Sequence, residues 1–208
     1  MNNQNIDQLS FNHRDCLGVV LAGGLSSRMG QDKAQLMRKT DSMLEFSKQL
    51  LIDSGINQVV VSGNNHQVTD LVTNAGPVGG IYSVIKRYQP SAILVLPIDL
   101  PLMTASAIKK LRITGELSQK ACFYQDHHIP LYLPNNGYLE LFLAHAFNKN
   151  FTQDTSTNQP ISNKKGPSVK ALLAQIPHQA LMAESPKLLF NSNTPQQWQH
   201  AQKQFNRI

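Results

Sequence analysis

The chain has 208 residues, 41% of them hydrophobic, which suits one domain around one substantial core and is too short for two full domains. Its 19 Lys and Arg against 13 Asp and Glu give a net charge of +6, favouring anionic ligands such as phosphates without the basic density of a dedicated nucleic-acid binder. Cys16 and Cys122 are too few for a disulfide framework and lack the paired spacing of a zinc site, so a reducing compartment is expected.

Residues 1–15 form a polar extension without the basic start and apolar run of a signal peptide, and 16–208 read as a single domain. No stretch approaches the roughly 20 apolar residues that would span a bilayer, and a cytoplasmic protein is expected. The first strong pattern is Cys16-Leu17-Gly18-Val19-Val20-Leu21, a continuous apolar run suited to a strand buried on both faces of a parallel sheet. A polar, glycine-punctuated loop follows. Ser42 then caps a helix through Asp53, with Glu45 at capping-box spacing, an apolar face from Met43, Leu44, Phe46, Leu50 and Leu51, and Gly55 at C′. Val59-Val60-Val61 and Ile93-Leu94-Val95-Leu96 repeat the buried-strand pattern, and between them Gly76-Pro77-Val78-Gly79-Gly80 leads into a helix over 81–89. Strands alternating with helices predict a three-layer α/β domain with a mostly parallel central sheet, whose ligands bind beyond the carboxyl ends of the strands.

Further on, a helix is expected over 104–113, short strands over 121–124 and 129–133, and an amphipathic helix over 137–147. The polar stretch 148–166 reads as a long mobile loop, either covering a substrate or a disordered insertion. Ser168 caps a short helix, and Thr194-Pro195-Gln196-Gln197 opens the last one with Pro at the first helical position and Gln197 completing a capping box. Trp198 and Phe205, seven residues apart, have core-facing spacing. The basic pairs Lys86-Arg87, Lys109-Lys110 and Lys164-Lys165 are scattered and read as solvated faces. Neighbouring His127 and His128 on a strand face opposite ways, which argues against a metal pair.

Two segments carry chemistry. In Leu21-Ala22-Gly23-Gly24-Leu25-Ser26-Ser27-Arg28-Met29-Gly30-Gln31-Asp32-Lys33 the small residues let backbone N–H groups approach a phosphate or base, and Arg28 and Lys33 set two cations beside them. That arrangement can hold a triphosphate and neutralise charge on a departing pyrophosphate, or it is a Gly-rich turn with two solvated cations. The spacing fits neither GxxxxGK[ST] nor GxGxxG. In Pro97-Ile98-Asp99-Leu100-Pro101 a carboxylate sits at a strand's C-terminal tip, a natural Mg²⁺ ligand where phosphates would lie. A turn or cap aspartate is the alternative.

Together these segments resemble the MobA family of molybdenum cofactor guanylyltransferases, within the wider group of nucleotidyltransferases on a Rossmann-like α/β sheet. The likeness runs from about residue 18 to 197, with Gly76-Pro77-Val78-Gly79-Gly80 and Asn191-Ser192-Asn193-Thr194-Pro195 as further matching motifs. The resemblance implies GTP over residues 21–33, Mg²⁺ at Asp99, and molybdopterin near the carboxy-terminal part, its terminal phosphate attacking the α-phosphorus of GTP. By position, Leu21, Ala22, Gly23 and Gly24 would contact the nucleotide, Lys33 its phosphates, and Asp70 base or ribose. Asn191 and Asn193 would hold molybdopterin rather than GTP, and Lys33, Arg28 and Asp99 would be the catalytic set. Encounters with the molybdenum-insertion protein and with apo-molybdoenzymes are implied as well, and no nucleic acid or membrane.

The chain departs from the family in several places. Ser62 stands where Asn is frequent, the stretch from His66 to Gly76 is short, and His127-His128-Ile129-Pro130 replaces a His-Pro pair. An Arg expected near Gly166-Pro167-Ser168 is absent, with Lys164, Lys165 or Lys170 the nearest cations. Competing readings are a molybdopterin cytidylyltransferase, a sugar-phosphate nucleotidyltransferase, and a non-catalytic nucleotide-binding homologue. Gly23-Gly24 in place of an Ala-Ala-Gly pattern and the Asn-Thr-Pro motif favour guanylyl transfer.

Overall fold

The structure, a computed structural model, describes residues 15–23, 32–63, 65–147 and 166–205. Gly24, Arg28, the extension over 1–14 and most of the 148–166 stretch, with Lys164 and Lys165, lie outside the described residues. Along the chain run β1 (Cys16–Leu21), β2 (Met37–Arg38), β3 (Asp41–Ser42), α1 (Met43–Asp53), β4 (Val59–Ser62), α2 (Gly76–Tyr88), β5 (Ala92–Pro97) and α3 (Ala105–Ser118). There follow β6 (Ala121–Tyr124), β7 (His127–Pro134), α4 (Gly137–Phe147), α5 (Val169–Leu173), β8 (His178–Leu181) and α6 (Pro195–Phe205), with 3-10 turns at Lys33–Gln35 and Pro186–Leu189.

The main sheet has six strands in the order β4-β1-β5-β7-β6-β8. β1 pairs in parallel with both β4 and β5, β6 pairs in parallel with β8, and β7 lies antiparallel between β5 and β6. Successive side chains on a strand point to opposite faces, so each buried run feeds two cores. Leu17, Val19, Ile93, Val95 and Leu133 pack onto Ile81 and Val84 of α2, Phe142 of α4 and Leu172 of α5. Val20, Leu94, Leu96 and Tyr132 pack the other way, onto Leu50 and Leu51 of α1 and Ile108 and Leu111 of α3. Each such fully buried aliphatic side chain contributes roughly 1.5–3 kcal/mol. The result is the three-layer α/β domain with a mostly parallel sheet.

A third small core sets α6. Trp198, Ala201 and Phe205 pack with Leu36 and Met43, so the last helix rests on the start of α1 and on the turn that carries Lys33. Arg38 reinforces this corner: its guanidinium lies 3.9 Å from the Phe46 ring centre and 5.0 Å from that of Phe205, and its Nε donates to the Pro101 carbonyl at 2.7 Å.

Several elements differ from the sequence expectation for identifiable reasons. α2 begins at Gly76 rather than 81, so the glycine-rich segment lies inside the helix. A Cβ on Gly80 would stand 2.9 Å from Ser62 Oγ and 3.1 Å from Leu21 Cδ2, and its absence is what lets α2 sit against the tips of β1 and β4. α3 runs on to Ser118, supported by an Arg112–Glu116 pair at 2.7 Å and ended by Gln119 at φ 53°. β7 starts at His127 rather than 129. The short β2, β3 and β8 were not anticipated; β8 buries Leu181 alone and carries no apolar alternation. Caps behave as expected in part. Ser42 Oγ accepts from Glu45 N at 3.2 Å, but the Glu45 carboxylate turns to Lys48 instead of closing the box. No helix among the described residues is long and apolar enough to cross a membrane.

Candidate active site

The chain order creates a crevice. From β1 the chain passes through α1 to β4 on one side and returns through α2 to β5 on the other, so the strand order reverses at β1. Such a switch point is where open α/β sheets bind ligands. The register pairs Leu21 with Pro97, and the segments that continue past them, Ala22-Gly23 and Ile98-Asp99, form the two lips.

A cleft of about 430 Å³ opens there. Of the residues singled out from sequence, Leu21, Ala22, Gly23, Lys33, Asp99 and Asn191 line it. Asp70 and Asn193 are not in the lining but lie behind it. The Asp70 carboxylate would be 4.0 Å from a Cβ built on Gly23, and the Asn193 side chain bonds Lys33. The cleft also takes in Asp32, from the segment read as the GTP loop, and Pro77, Asp126, His127, His128 and Ile129, which sequence reasoning had not placed at a site. On a regular strand these two neighbouring histidines would face opposite ways. A register irregularity at Phe123/Tyr124 disturbs the β6–β7 hairpin next to them, and bulges re-aim side chains. The sequence signals for this wall were the His127-His128-Ile129-Pro130 stretch in place of the family's His-Pro pair and its nearness to a hairpin turn at Gln125-Asp126, where Asp126 takes the left-handed φ of 63°.

Lys33 is delivered by local chemistry. Asp32 caps the 3-10 turn, its Oδ1 accepting from Ala34 N at 3.0 Å, and buried Ala34 anchors the turn to the α1/α3 core. Lys33 Nζ donates to Asn193 Oδ1 and stands 3.7 Å from Asp99 Oδ2, with each side chain of the ion pair about one-fifth exposed (18% and 21%). Asp99 is held from behind: its carbonyl accepts from Ser192 N at 2.9 Å and Ser192 Oγ at 3.3 Å. Burial pushes the Asp99 carboxyl above the usual range, and the Lys33 ammonium only partly opposes that. Asp70 is also raised by burial, with the nearby Ser62 hydroxyl pulling the other way, although the two do not reach hydrogen-bond geometry. Ser62 Oγ is buried with no hydrogen-bond partner among the described residues.

The donor set fits Mg²⁺. A desolvated carboxylate at a strand tip favours an added cation, and Mg²⁺ is commonly held by one or two carboxylates with phosphate oxygens and water completing the shell. Among the described residues no group of three or more His, Cys, Asp or Glu forms a self-sufficient metal cage, so a metal at Asp99 would draw on the nucleotide for ligands. α2 adds to the field: its N-terminus reaches the cleft at Pro77 without a side-chain cap, leaving backbone amides facing outward.

A cleft beyond the strand tips, lined by a lysine–aspartate pair and by small residues along one lip, suits a nucleotidyltransferase, and comparison with known proteins establishes that class. The MobA-like NTP transferase domain matches residues 18–152. The molybdenum cofactor guanylyltransferase of Xanthomonas euvesicatoria is 34% identical over 192 residues, covering 89% of this chain and 93% of that protein. This chain belongs to the MobA-like NTP transferase family. Among solved structures, the molybdopterin-guanine dinucleotide biosynthesis protein A of Archaeoglobus fulgidus superposes with a TM-score of 0.68 at 16% identity, over 92% of this chain and all (100%) of that one. The 2-C-methyl-D-erythritol 4-phosphate cytidylyltransferase of Thermus thermophilus reaches 0.61 at 14% identity, over 94% and 100%. Guanylyl and cytidylyl enzymes share this fold, so the fold alone does not choose the base.

Proposed function

We propose that this chain transfers GMP from GTP to the terminal phosphate of molybdopterin in a Mg²⁺-dependent reaction, forming the molybdopterin guanine dinucleotide cofactor and releasing pyrophosphate. The observation that carries the reading is the Lys33–Asp99 pair, 3.7 Å apart at the mouth of a cleft whose lip is Leu21-Ala22-Gly23. The similarity to a guanylyltransferase over most of both chains supports the choice of substrates.

In this reading the backbone at 21–23 receives the nucleotide, and Asp70, behind Gly23, meets base or ribose. Gly24 and Arg28 belong to the same sequence motif, and in this reading Gly24 contacts the nucleotide and Arg28 adds a second cation on the phosphates. The Lys33 ammonium neutralises the triphosphate as it binds and the pyrophosphate as it leaves. Asp99 would hold Mg²⁺, which when bound supplies charge neutralisation on the phosphates. Molybdopterin takes the other half of the cleft, between Asn191 and the wall of His127, His128 and Ile129. The neutral Asn191 amide there can bond a pterin edge and phosphate oxygens without competing for the metal, and the imidazoles add ring nitrogens that can hydrogen-bond. The nucleophile, a phosphate oxygen, arrives already ionised, so the step asks the protein for alignment and charge neutralisation rather than for a general base.

The same reading takes 16–208 as one domain in the cytoplasm, with the molybdenum-insertion protein and apo-molybdoenzymes as transient partners. The free thiols of Cys16 and Cys122 suit a reducing compartment. Incubation with molybdopterin, Mg²⁺ and each of GTP, CTP and ATP, with the product identified by mass spectrometry, tests the substrate choice. A guanine dinucleotide formed in large excess over the others is expected. Equal turnover of GTP and CTP would overturn it, and no product with any of the three would leave a non-catalytic homologue.

A further inference from the structure

The contacts behind Lys33 continue into α6. Asn193 Oδ1 accepts from Lys33 Nζ, and the Asn193 backbone N–H in turn donates to Gln197 Oε1 at 2.8 Å. The same oxygen accepts the Thr194 N–H at 3.1 Å, while Gln197 N donates to Thr194 Oγ1 at 3.3 Å. The two bonds between Thr194 and Gln197 make up an ordinary capping box, which satisfies the helix end completely as a motif. The bond to Asn193 lies outside the helix and is the shortest of the three. Capping does not require it.

Around it the residues close a ring. Ser192 donates twice to the Asp99 carbonyl, Asn193 follows in the chain and holds Lys33, and Lys33 faces the Asp99 carboxylate. Both anchors of the ring rest on one core, since Leu36, whose N–H bonds the Lys33 carbonyl at 3.3 Å, packs with Trp198, Ala201 and Phe205 of α6. A lysine on its flexible four-carbon stem would otherwise sample many rotamers, and preorganised charge is what lowers a barrier.

We propose that Gln197 is a positioning residue of the transfer site: by fixing Asn193 it makes the Asn193 amide a bracket that holds the Lys33 ammonium at the nucleotide phosphates. Gln197 itself lies outside the cleft lining. Asn193, expected from sequence to serve molybdopterin, thereby also serves the nucleotide. The inference rests on the reading of Lys33 as the phosphate-binding cation.

The test measures pyrophosphate release with molybdopterin, Mg²⁺ and varied GTP, in Gln197→Ala, Gln197→Glu and Asn193→Ala, each in the wild-type and Lys33→Ala backgrounds, with melting temperatures alongside. Gln197→Ala and Asn193→Ala are expected to lower kcat/KM for GTP by roughly five- to tenfold. Gln197→Glu, whose carboxylate accepts the same amides, should stay within about twofold of wild type. With Lys33 already removed, Gln197→Ala should change kcat/KM by no more than about twofold, because coupled groups lose their effect together. Equal losses in both backgrounds, or a lower melting temperature with unchanged GTP kinetics, would reduce Gln197 to a helix cap and overturn the proposal. Should Gln197→Ala fail to fold, Asn193→Ala against Gln197→Glu carries the same comparison. If Lys33→Ala alone keeps wild-type kinetics, the reading of Lys33 fails first; if Lys33→Ala is impaired and Gln197→Ala is not, only the present inference fails.

Discussion

Lys33 Nζ and Asp99 Oδ2 stand 3.7 Å apart, joining the 3-10 turn at Lys33–Gln35 to the segment that follows β5 in the lining of the cleft. In the proposed reaction the lysine acts on the triphosphate directly, so its loss would be felt both in binding and in the chemical step. Lys33→Ala should reduce kcat roughly 10²-fold or more and raise the GTP dissociation constant as well. Steady-state kinetics with a parallel binding titration check this; a change in KM alone would mark Lys33 as a ground-state ligand only.

Asp99, in the proposed reaction, would act through the metal, and its loss should read out differently. Asp99→Asn should remove most Mg²⁺-dependent turnover while GTP binding without Mg²⁺ survives or tightens, a carboxylate facing the phosphates having been neutralised. The stability consequence has a definite sign. Burial raises the Asp99 carboxyl in the folded chain, so the folded state binds more protons than the unfolded one between the ordinary carboxylate value and the raised one, and stability falls as pH rises through that window. Asn carries no such penalty, although Lys33 loses a counterion. The melting temperature of Asp99→Asn relative to wild type should therefore rise as pH climbs above the ordinary carboxylate value of about 4. A melting temperature that drops relative to wild type as pH rises would make Asp99 a structural partner of Lys33.

Gly23 separates ligand approach from internal packing. It is exposed, and a Cβ there would meet Gly63 Cα at 3.5 Å and Asp70 Oδ2 at 4.0 Å, ordinary contacts that the fold accepts. Gly23→Ala should thus leave stability within about 0.5 kcal/mol of wild type while weakening GTP binding, since the added methyl occupies the nucleotide's approach. Calorimetric melting and GTP titration on one preparation decide it; unchanged GTP affinity would place the nucleotide elsewhere.

Gly115 gives the opposite case. A Cβ on this α3 residue would fall 2.0 Å from Tyr132 Cδ1 and 2.4 Å from Cγ, the root of the ring, which cannot swing aside as a chain end would. Alanine improves helix propensity by about 0.5–1 kcal/mol, but overpacking of this kind costs about 1–3 kcal/mol or more, so the clash wins. Gly115→Ala should lower the melting temperature by several degrees, at roughly 2–4 °C per kcal/mol for a chain of this size. A stabilised variant would mean that α3 does not lie on Tyr132.

What could be read without coordinates was whatever is local. The run from Cys16 to Leu21 is buried on both faces, Ser42 and Thr194 cap their helices, and Lys33 and Asp99 follow strand tips because loop composition and strand patterning are written in neighbouring residues. What could not be read depends on strand order. Nothing near His127 announces that β7 inserts antiparallel beside β5, bringing Asp126 to Ile129 into the cleft. Gly79 and Gly80 looked like loop glycines because a helix packed onto Ser62 and Leu21 is a long-range fact. The Lys33–Asn193 bond spans 160 residues and has no local signature, so two motifs recognised separately gave no sign that one holds the other.

The central claim, transfer of a guanylyl group, is tested most directly by following label from GTP. The chain is incubated with molybdopterin, Mg²⁺ and GTP carrying radioactive phosphorus at either the α or the γ position, and the products are separated. The account predicts that α-label appears on the pterin dinucleotide and γ-label in pyrophosphate, in equal amounts. Transfer of γ-label to the pterin, or α-label that stays in GDP or GMP while molybdopterin is unchanged, would contradict it.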